Sequence, residues 1–243
     1  MRRTFTDLHV YADLRSADTA KFLSKAAELG YTLVAVSLPP TQLTQQVEAL
    51  RKLASTFNLD AAVRVDLKPR STGELTQSLR RLRRKCEVIA VTCESKEVAR
   101  QAAKDRRVDL LNFQSFDSRR RFFDHAEAEL ARQGLAALEV DVAHLLMVSG
   151  SARVRLLACL RREVQLAKAF NVPIILSSGA PNPRLLRKPR EMAALASLFS
   201  LGEMEALDAV STNPAGIVKR NREKLSPEFV APGIRLIKEG KDC

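Results

Sequence analysis

The 243-residue sequence contains no tryptophan, only two tyrosines and only three histidines. Its ten phenylalanines fall mostly on apolar stripes. Few rings are therefore left for stacking bases, and any nucleic-acid binding is expected to use phosphates and shape. Three histidines, His9, His125 and His144, are a thin supply for a multinuclear metal site. The four cysteines, Cys86, Cys93, Cys159 and Cys243, form no C-x-x-C pair and have neither zinc nor disulfide spacing. They read as free thiols, which predicts a reducing compartment, the cytoplasm. No apolar run approaches the roughly 18–20 residues that span a bilayer, and mean hydropathy is −0.14, so no membrane role is expected. An acid, Asp7, precedes any apolar stretch, so the N-terminus does not read as a signal peptide. A G-x-S-x-G elbow, a Walker loop and a G-x-G-x-x-G fingerprint are all lacking.

What the chain has in excess is positive charge: 40 Lys and Arg against 28 Asp and Glu, net +12. Residues 68–121 alone carry 15 basic and 7 acidic groups. Two-thirds of the excess thus sits in under a quarter of the chain, which points to a directed patch and a polyanionic partner.

Short apolar runs alternate with amphipathic stretches from end to end. Strands are expected at 4–10, 33–36, 61–67, 88–91, 108–111, 136–140, 174–176 and 207–210. Between them lie helical stripes such as Phe22, Ala26 and Leu29, or Leu75, Leu79 and Leu82, the latter behind a Ser71/Glu74 capping pair. Asn213-Pro214 reads as an N-cap with proline at the first helical position. About eight β-α units without a linker predict an α/β fold, a TIM-barrel-like (β/α) barrel. It would form a single domain over 1–223, with a short C-terminal extension at 224–243 and an extra strand near 234–237. The alternative is an open doubly wound sheet.

In such barrels working residues sit at the C-terminal strand ends. Asp7 and His9 are expected there, pointing the same way, with Asp66, Lys68, Glu139, Asp141 and His144. They permit one divalent ion, or an ion-pair network in which Arg64 or Lys68 meets the acids. Ser177-Ser178-Gly179-Ala180 and Ser211-Thr212-Asn213-Pro214, after strands seven and eight, are placed where such barrels grip phosphate. Arg80-Arg81-x-Arg83-Arg84-Lys85 lies on the helix opposite the leucine stripe. Arg106-Arg107 and Arg119-Arg120-Arg121 flank strand five, and Lys219-Arg220-x-Arg222-x-Lys224 closes the last helix. Guanidinium forks suit phosphate oxygens, although basic groups near helix C-termini also complement the dipole.

From strand six onward the chain reads Leu138-Glu139-Val140-Asp141, then Ser177-Ser178-Gly179-Ala180, Leu186-Arg187-Lys188-Pro189 and Ser211-Thr212-Asn213-Pro214. In this order these elements resemble the ribonuclease P protein component 3 family, which itself resembles the polymerase-and-histidinol-phosphatase (PHP) barrel superfamily but lacks its metal site. The superfamily's metal motifs are broken here: His9 is followed by Tyr11 where H-x-H is expected, and Asp208 by Val210 where D-x-H is expected.

The resemblance implies a subunit without a catalytic site in a ribonucleoprotein that removes the 5′ leader of precursor tRNA. The RNA subunit would hold the required Mg2+, and this chain would bind no cofactor. The implied partners are ribonuclease P RNA, ribonuclease P protein component 2 and the other protein subunits, with precursor tRNA met indirectly. Candidate phosphate contacts are Lys68, Arg80, Arg81, Arg83 and Arg84, with Ser177, Ser178, Arg187, Lys188 and Arg190. Two rival readings are a metal-dependent PHP-type phosphoesterase using His9, Glu139, Asp141 and His144, and a small-molecule enzyme gripping phosphate at the strand seven and eight loops.

Overall fold

The computed structural model describes residues 3–11, 18–231 and 234–236. Among these residues, seven strands form one all-parallel sheet in sequential order: β1 (Thr6–Tyr11), β2 (Leu33–Ser37), β3 (Asp60–Leu67), β4 (Val88–Thr92), β5 (Leu110–Asn112), β6 (Ala137–Asp141) and β7 (Ile174–Ser177). The sheet curls until its edges meet. Val10 bridges to Ala180, and the Gly179 amide donates to the His9 carbonyl at 3.0 Å. The result is a nearly closed TIM-like barrel.

Among the described residues, ten helices surround it: α1 (Asp18–Glu28), α2 (Leu43–Ser55), α3 (Thr72–Leu82), α4 (Lys96–Lys104), α5 (His125–Gly134), α6 (Val142–Met147), α7 (Gly150–Ala169), α8 (Pro189–Leu195), α9 (Glu203–Ala209) and α10 (Thr212–Leu225). The expected stripes face inward. Ser71 caps α3 by accepting from the Glu74 amide, and Leu75, Leu79 and Leu82 are buried behind it.

The expected eighth strand is absent, because 207–210 belongs to helix α9 and the turn after it. The segment is rich in Glu, Met, Ala and Leu, all good helix formers. Glu203 and Glu205 in the first turn suit the helix dipole, and the Gly202 amide donates to the Glu205 carboxylate. Val210 still contributes to closure, since its carbonyl accepts from the Thr6 amide at 2.9 Å. Asn213 is likewise not an N-cap. Helix α10 begins one residue earlier, and the Asn213 side-chain Nδ2 donates to the Ile174 carbonyl at 3.1 Å.

These contacts with Thr6 and Ile174, the first residues of β1 and β7, put 210–213 at the N-terminal end of the barrel. There α10 acts as a plug. Its Ile217 and Val218 join Leu8, Ala35, Ala62, Val88, Ala90, Leu110, Ala137 and Ile175 in an apolar layer inside the barrel. A larger core fills the space between sheet and helices. Helix α10 also runs across the expected boundary at 223/224. Beyond it, β8 (Phe229–Ala231) pairs antiparallel with β9 (Ile234–Arg235); residue 237, where the extra strand was expected to end, lies outside the described residues.

Candidate functional site

Above the apolar layer, the C-terminal half of the barrel interior is polar. The inward alternation that places Ala62 in the lower layer carries Arg64 and then Asp66 upward on β3, and Ala137 is followed by Glu139 and Asp141 on β6. In β1 the alternation breaks. Asp7 pairs with Val34 but Val10 with Val36, so one extra residue is accommodated between them. This bulge separates Asp7 from His9, contrary to the expectation that they point the same way; bulges commonly re-aim a side chain. Asp7 accepts from the amides of His9 and Ser178, and burial pushes its carboxyl above the usual range. His9 turns to the interior, with Nδ1 2.7 Å from Asp141 Oδ1.

Arg64 occupies the centre and is completely buried. Its Nη1 and Nη2 donate to Glu139 Oε1 and Oε2 at 2.5 and 2.7 Å. Nε and Nη2 donate to Asp66 Oδ1 at 2.9 and 2.7 Å, and Nη1 also reaches the Leu8 carbonyl. Asn112 Nδ2 bridges Glu139 and Asp141 at 2.9 and 2.8 Å. The Ser177 hydroxyl donates to Glu139 Oε1 at 2.6 Å, and Ser37 donates to Asp66. The expected ion-pair network is therefore present for Arg64, Asp66 and Glu139, while Asp141 is served by His9 and Asn112. Lys68 is exposed outside it.

Burial disfavours charge here, yet for Asp66, Asp141 and His9 the opposite neighbours outweigh it. Burial alone would raise Asp66, but Arg64, followed by His9, holds it below the usual carboxylate range. The charge and hydrogen bond of His9 hold Asp141 well below that range. Burial and Arg64 push the His9 imidazolium down, but Asp141 and Asp66 leave it above its ordinary value.

His9, Glu139 and Asp141 offer atoms within 4.8 Å of one another, as a metal-binding group does. The set does not fit a divalent cation. Both Glu139 oxygens accept from Arg64, with further donors from Ser177 and Asn112, and both Asp141 oxygens face His9 or Asn112. A guanidinium already supplies the positive charge, and a second cation beside it would be repelled. Of the atoms of His9, Glu139 and Asp141, only His9 Nε2 is buried without a hydrogen bond, and it lies 3.6 Å from Asp66 Oδ2. His144, expected as a further ligand, instead packs edge-on against Phe116 at 6.1 Å.

The two loops expected to grip phosphate together lie at opposite ends of the barrel. Ser177-Ser178 is at the mouth, whereas Ser211-Thr212-Asn213 is beside the α10 plug. Ser177 and Ser178 are buried, and the Ser178 hydroxyl donates to the His9 carbonyl. Neither hydroxyl faces solvent, so both fail as phosphate contacts. Gly179 is required where it stands. Its φ is +55°, and a Cβ there would lie 2.7 Å from the Asp141 Cβ.

The predicted cations divide into free and tied groups. Arg80, Arg81 and Arg84 are exposed, and the first two line a shallow polar groove with Thr72, Thr76, Gln77 and Gln101. Arg83 is a brace: Nη1 meets Asp109 at 2.6 Å and the Arg107 carbonyl, and Nη2 meets the Cys86 and Glu87 carbonyls. Both of its Nη groups are engaged within the fold, so it does not serve as a free phosphate fork. Arg121 is tied in the same way, to Glu163 through Nε and Nη2, both at 2.6 Å. Arg187 is half-buried and donates to the Arg184 and Leu186 carbonyls. Lys188 and Arg190 are exposed, with Arg190 over the Phe5 ring at 5.9 Å. No helix among the described residues is long and apolar enough to cross a membrane.

Sequence reading considered Arg64 only as one of two partners for the acids and missed Asn112 and Ser37. Arg64 was findable, because it lies two residues from Ala62 on a strand whose inward positions alternate.

The family described as RNase P subunit p30 matches residues 4–226. A Methanosarcina barkeri protein named Ribonuclease P protein component 3 is 32% identical over 237 residues, covering 97% of each chain. Its Methanosarcina mazei counterpart is 31% identical over 239 residues, covering 98% of this chain and 97% of the relative. Among solved structures, a chain of archaeal ribonuclease P with mature tRNA, determined by cryo-electron microscopy, superposes with a TM-score of 0.81 at 23% identity. It covers 98% of this chain and all of that one. On the family match and these relatives, this chain belongs to the RNase P subunit p30 family.

Proposed function

We propose that this chain is a protein subunit of ribonuclease P, which binds and orders the RNA subunit so that the complex removes the 5′ leader from precursor tRNA. The observation that carries the reading is Arg64. At the mouth, where a barrel phosphoesterase holds its metal, a buried guanidinium engages the acids instead. Chemistry then resides elsewhere in the complex, with the RNA and its Mg2+, and this chain binds no cofactor of its own. Its contribution is to neutralise phosphates, which it does with exposed cations: Arg80, Arg81 and Arg84 on and after α3, Lys68, and Lys188 with Arg190. The sparse aromatic content favours phosphate and shape over base stacking.

The partners on this reading are ribonuclease P RNA, ribonuclease P protein component 2 and the other protein subunits; precursor tRNA is met indirectly. The compartment is the cytoplasm. The rival, a metal-dependent phosphoesterase, draws on the closeness of His9, Glu139 and Asp141, and the hydrogen bonds that engage those oxygens weigh against it. Reconstitution tests the proposal. Adding this chain to the cognate RNA and the remaining proteins should raise precursor-tRNA cleavage at low Mg2+. An unchanged rate when it is omitted would sink the reading.

A further inference from the structure

The charge at the N-terminal end of the barrel is not absorbed by the account of α3 and the mouth. Three segments meet there: 83–87 leading into β4, 104–109 leading into β5, and α10 across the end. Together they hold ten basic and four acidic residues, half the net charge of the chain in about a tenth of its length.

The cluster is organised around one carboxylate. Asp109 is buried and accepts from Arg83 at 2.6 Å, Arg220 at 3.0 Å, Asn221 at 2.7 Å and the Ile89 amide at 2.9 Å. Two guanidiniums on one acid leave a surplus positive charge at the centre. Both remain partly open to solvent, their side chains 18% and 31% exposed. The Nε of Arg220 is buried without a hydrogen-bond partner. Arg106 and Lys224 are exposed beside this centre, and Lys85 and Lys219 are exposed in the same segments. Burial, then the charges of Arg220, Arg83 and Arg106, push the Lys224 ammonium below its ordinary pKa. The like charges are thus close enough to repel one another, despite the acid beneath them.

Helix-dipole complementation accounts for Lys224, in the last turn of α10, and for Arg83 at the end of α3. It does not account for Arg106, which stands in a loop. Among the described residues, exposed apolar side chains nearby are Leu135, whose carbonyl accepts from Arg220, and Val230, Ile234 and Leu236 on the β8–β9 hairpin that packs against α10; none of them belongs to the three charged segments. A protein interface would need an apolar, lysine-poor centre, and this patch has the opposite composition.

We infer that the N-terminal end of the barrel is a second seat for RNA phosphates, with Arg106 and Lys224 as contacting cations and Arg83 and Arg220, pinned to Asp109, as the charged floor. The inference rests on the proposed RNA-binding function and names the face that serves it, opposite the mouth where barrels of this type usually work.

The test measures binding of the full chain to cognate ribonuclease P RNA across a salt series. Arg106→Gln with Lys224→Gln should make the slope of log affinity against log salt shallower by about two, one step per phosphate engaged. Melting should stay unchanged, since both side chains are exposed. Arg80→Gln with Arg81→Gln, in the groove lined by Thr76 and Gln77, serves as a comparison. An unaltered slope for the first pair, with a shallower one for the second, overturns this inference and leaves the proposed function standing. A wild-type chain that does not bind the RNA overturns the function itself. An unaltered RNA slope with abolished binding to a partner subunit overturns the inference in favour of an acidic protein.

Discussion

Arg64 and Glu139 form a two-pronged ion pair inside the barrel, at 2.5 and 2.7 Å, with both side chains wholly buried. The fork satisfies both carboxylate oxygens from one planar donor, a match that lysine cannot reproduce. Arg64 also holds together two acids, Glu139 and Asp66, that would otherwise repel across the mouth. Replacing Arg64 by methionine keeps most of the volume and removes the charge. The cost should be about 3–5 kcal/mol, the usual result of leaving a buried charge unpaired. Urea denaturation reads it directly, and a loss under about 1 kcal/mol would mean that the acids find solvent or another partner.

The same cluster sets a pH dependence. Asp66 and Asp141 are held below their ordinary values. Their stabilisation is fully present above about pH 4 and is lost as pH falls through the folded values. His9 is held above its ordinary value. Its contribution is fully present below about pH 6.5 and is lost as pH rises through the folded pKa. Urea midpoints should therefore decline on the alkaline side, and His9→Gln should remove that decline while weakening the protein at pH 6. A variant that declines as the parent does would show that another group is responsible.

Gly179 links the Ser177-Ser178-Gly179-Ala180 turn to barrel closure. Its amide meets the His9 carbonyl, its φ is positive, and Asp141 fills the space that a Cβ needs. Gly179→Ala should destabilise by about 2–4 kcal/mol, combining left-handed strain with a steric clash. It should also displace Asp141 and broaden the His9 ring signals in NMR. Gly73→Ala, where the added Cβ would be 3.9 Å from the nearest neighbouring heavy atom, is the internal comparison and should be nearly silent.

Two neighbouring arginines should behave oppositely. Arg84→Gln, added to Arg80→Gln and Arg81→Gln, should leave stability within about 0.5 kcal/mol, as surface changes do. It should flatten the salt dependence of RNA binding by about one unit of slope for each phosphate no longer neutralised. Arg83→Gln removes donors from Asp109 and three carbonyls and should cost about 1–3 kcal/mol in stability. Equal effects of Arg83 and Arg84 on both measurements would contradict the division into an internal brace and an RNA-facing cation.

Much of this was legible in the sequence. The seven strands and the leucine stripe of α3 follow from periodicity, because a parallel barrel buries its strands on both faces. The 207–210 segment was not legible, since a run as short as Leu207, Asp208, Ala209 and Val210 fits strand or helix equally and only the packing decides. That single misreading also moved Ser211-Thr212-Asn213 to the wrong end of the barrel. The β1 bulge left no mark in the spacing, so Asp7 and His9 read as neighbours on one face. At the mouth, the right residue types were visible, but not which charge would take the centre. Ser177 and Ser178 looked like loop donors because their inward turn depends on Gly179 and Asp141, which come together only in the fold.

The most direct measurement is cleavage of precursor tRNA by the purified chain with added Mn2+ and Mg2+, with and without ribonuclease P RNA and the remaining proteins. Leader removal should occur only when the RNA is present, and the protein alone should release nothing. RNA-free hydrolysis that copurifies with the chain, is abolished by a chelator and is lost in Glu139→Gln would put a working metal centre where Arg64 now sits, and would contradict the account.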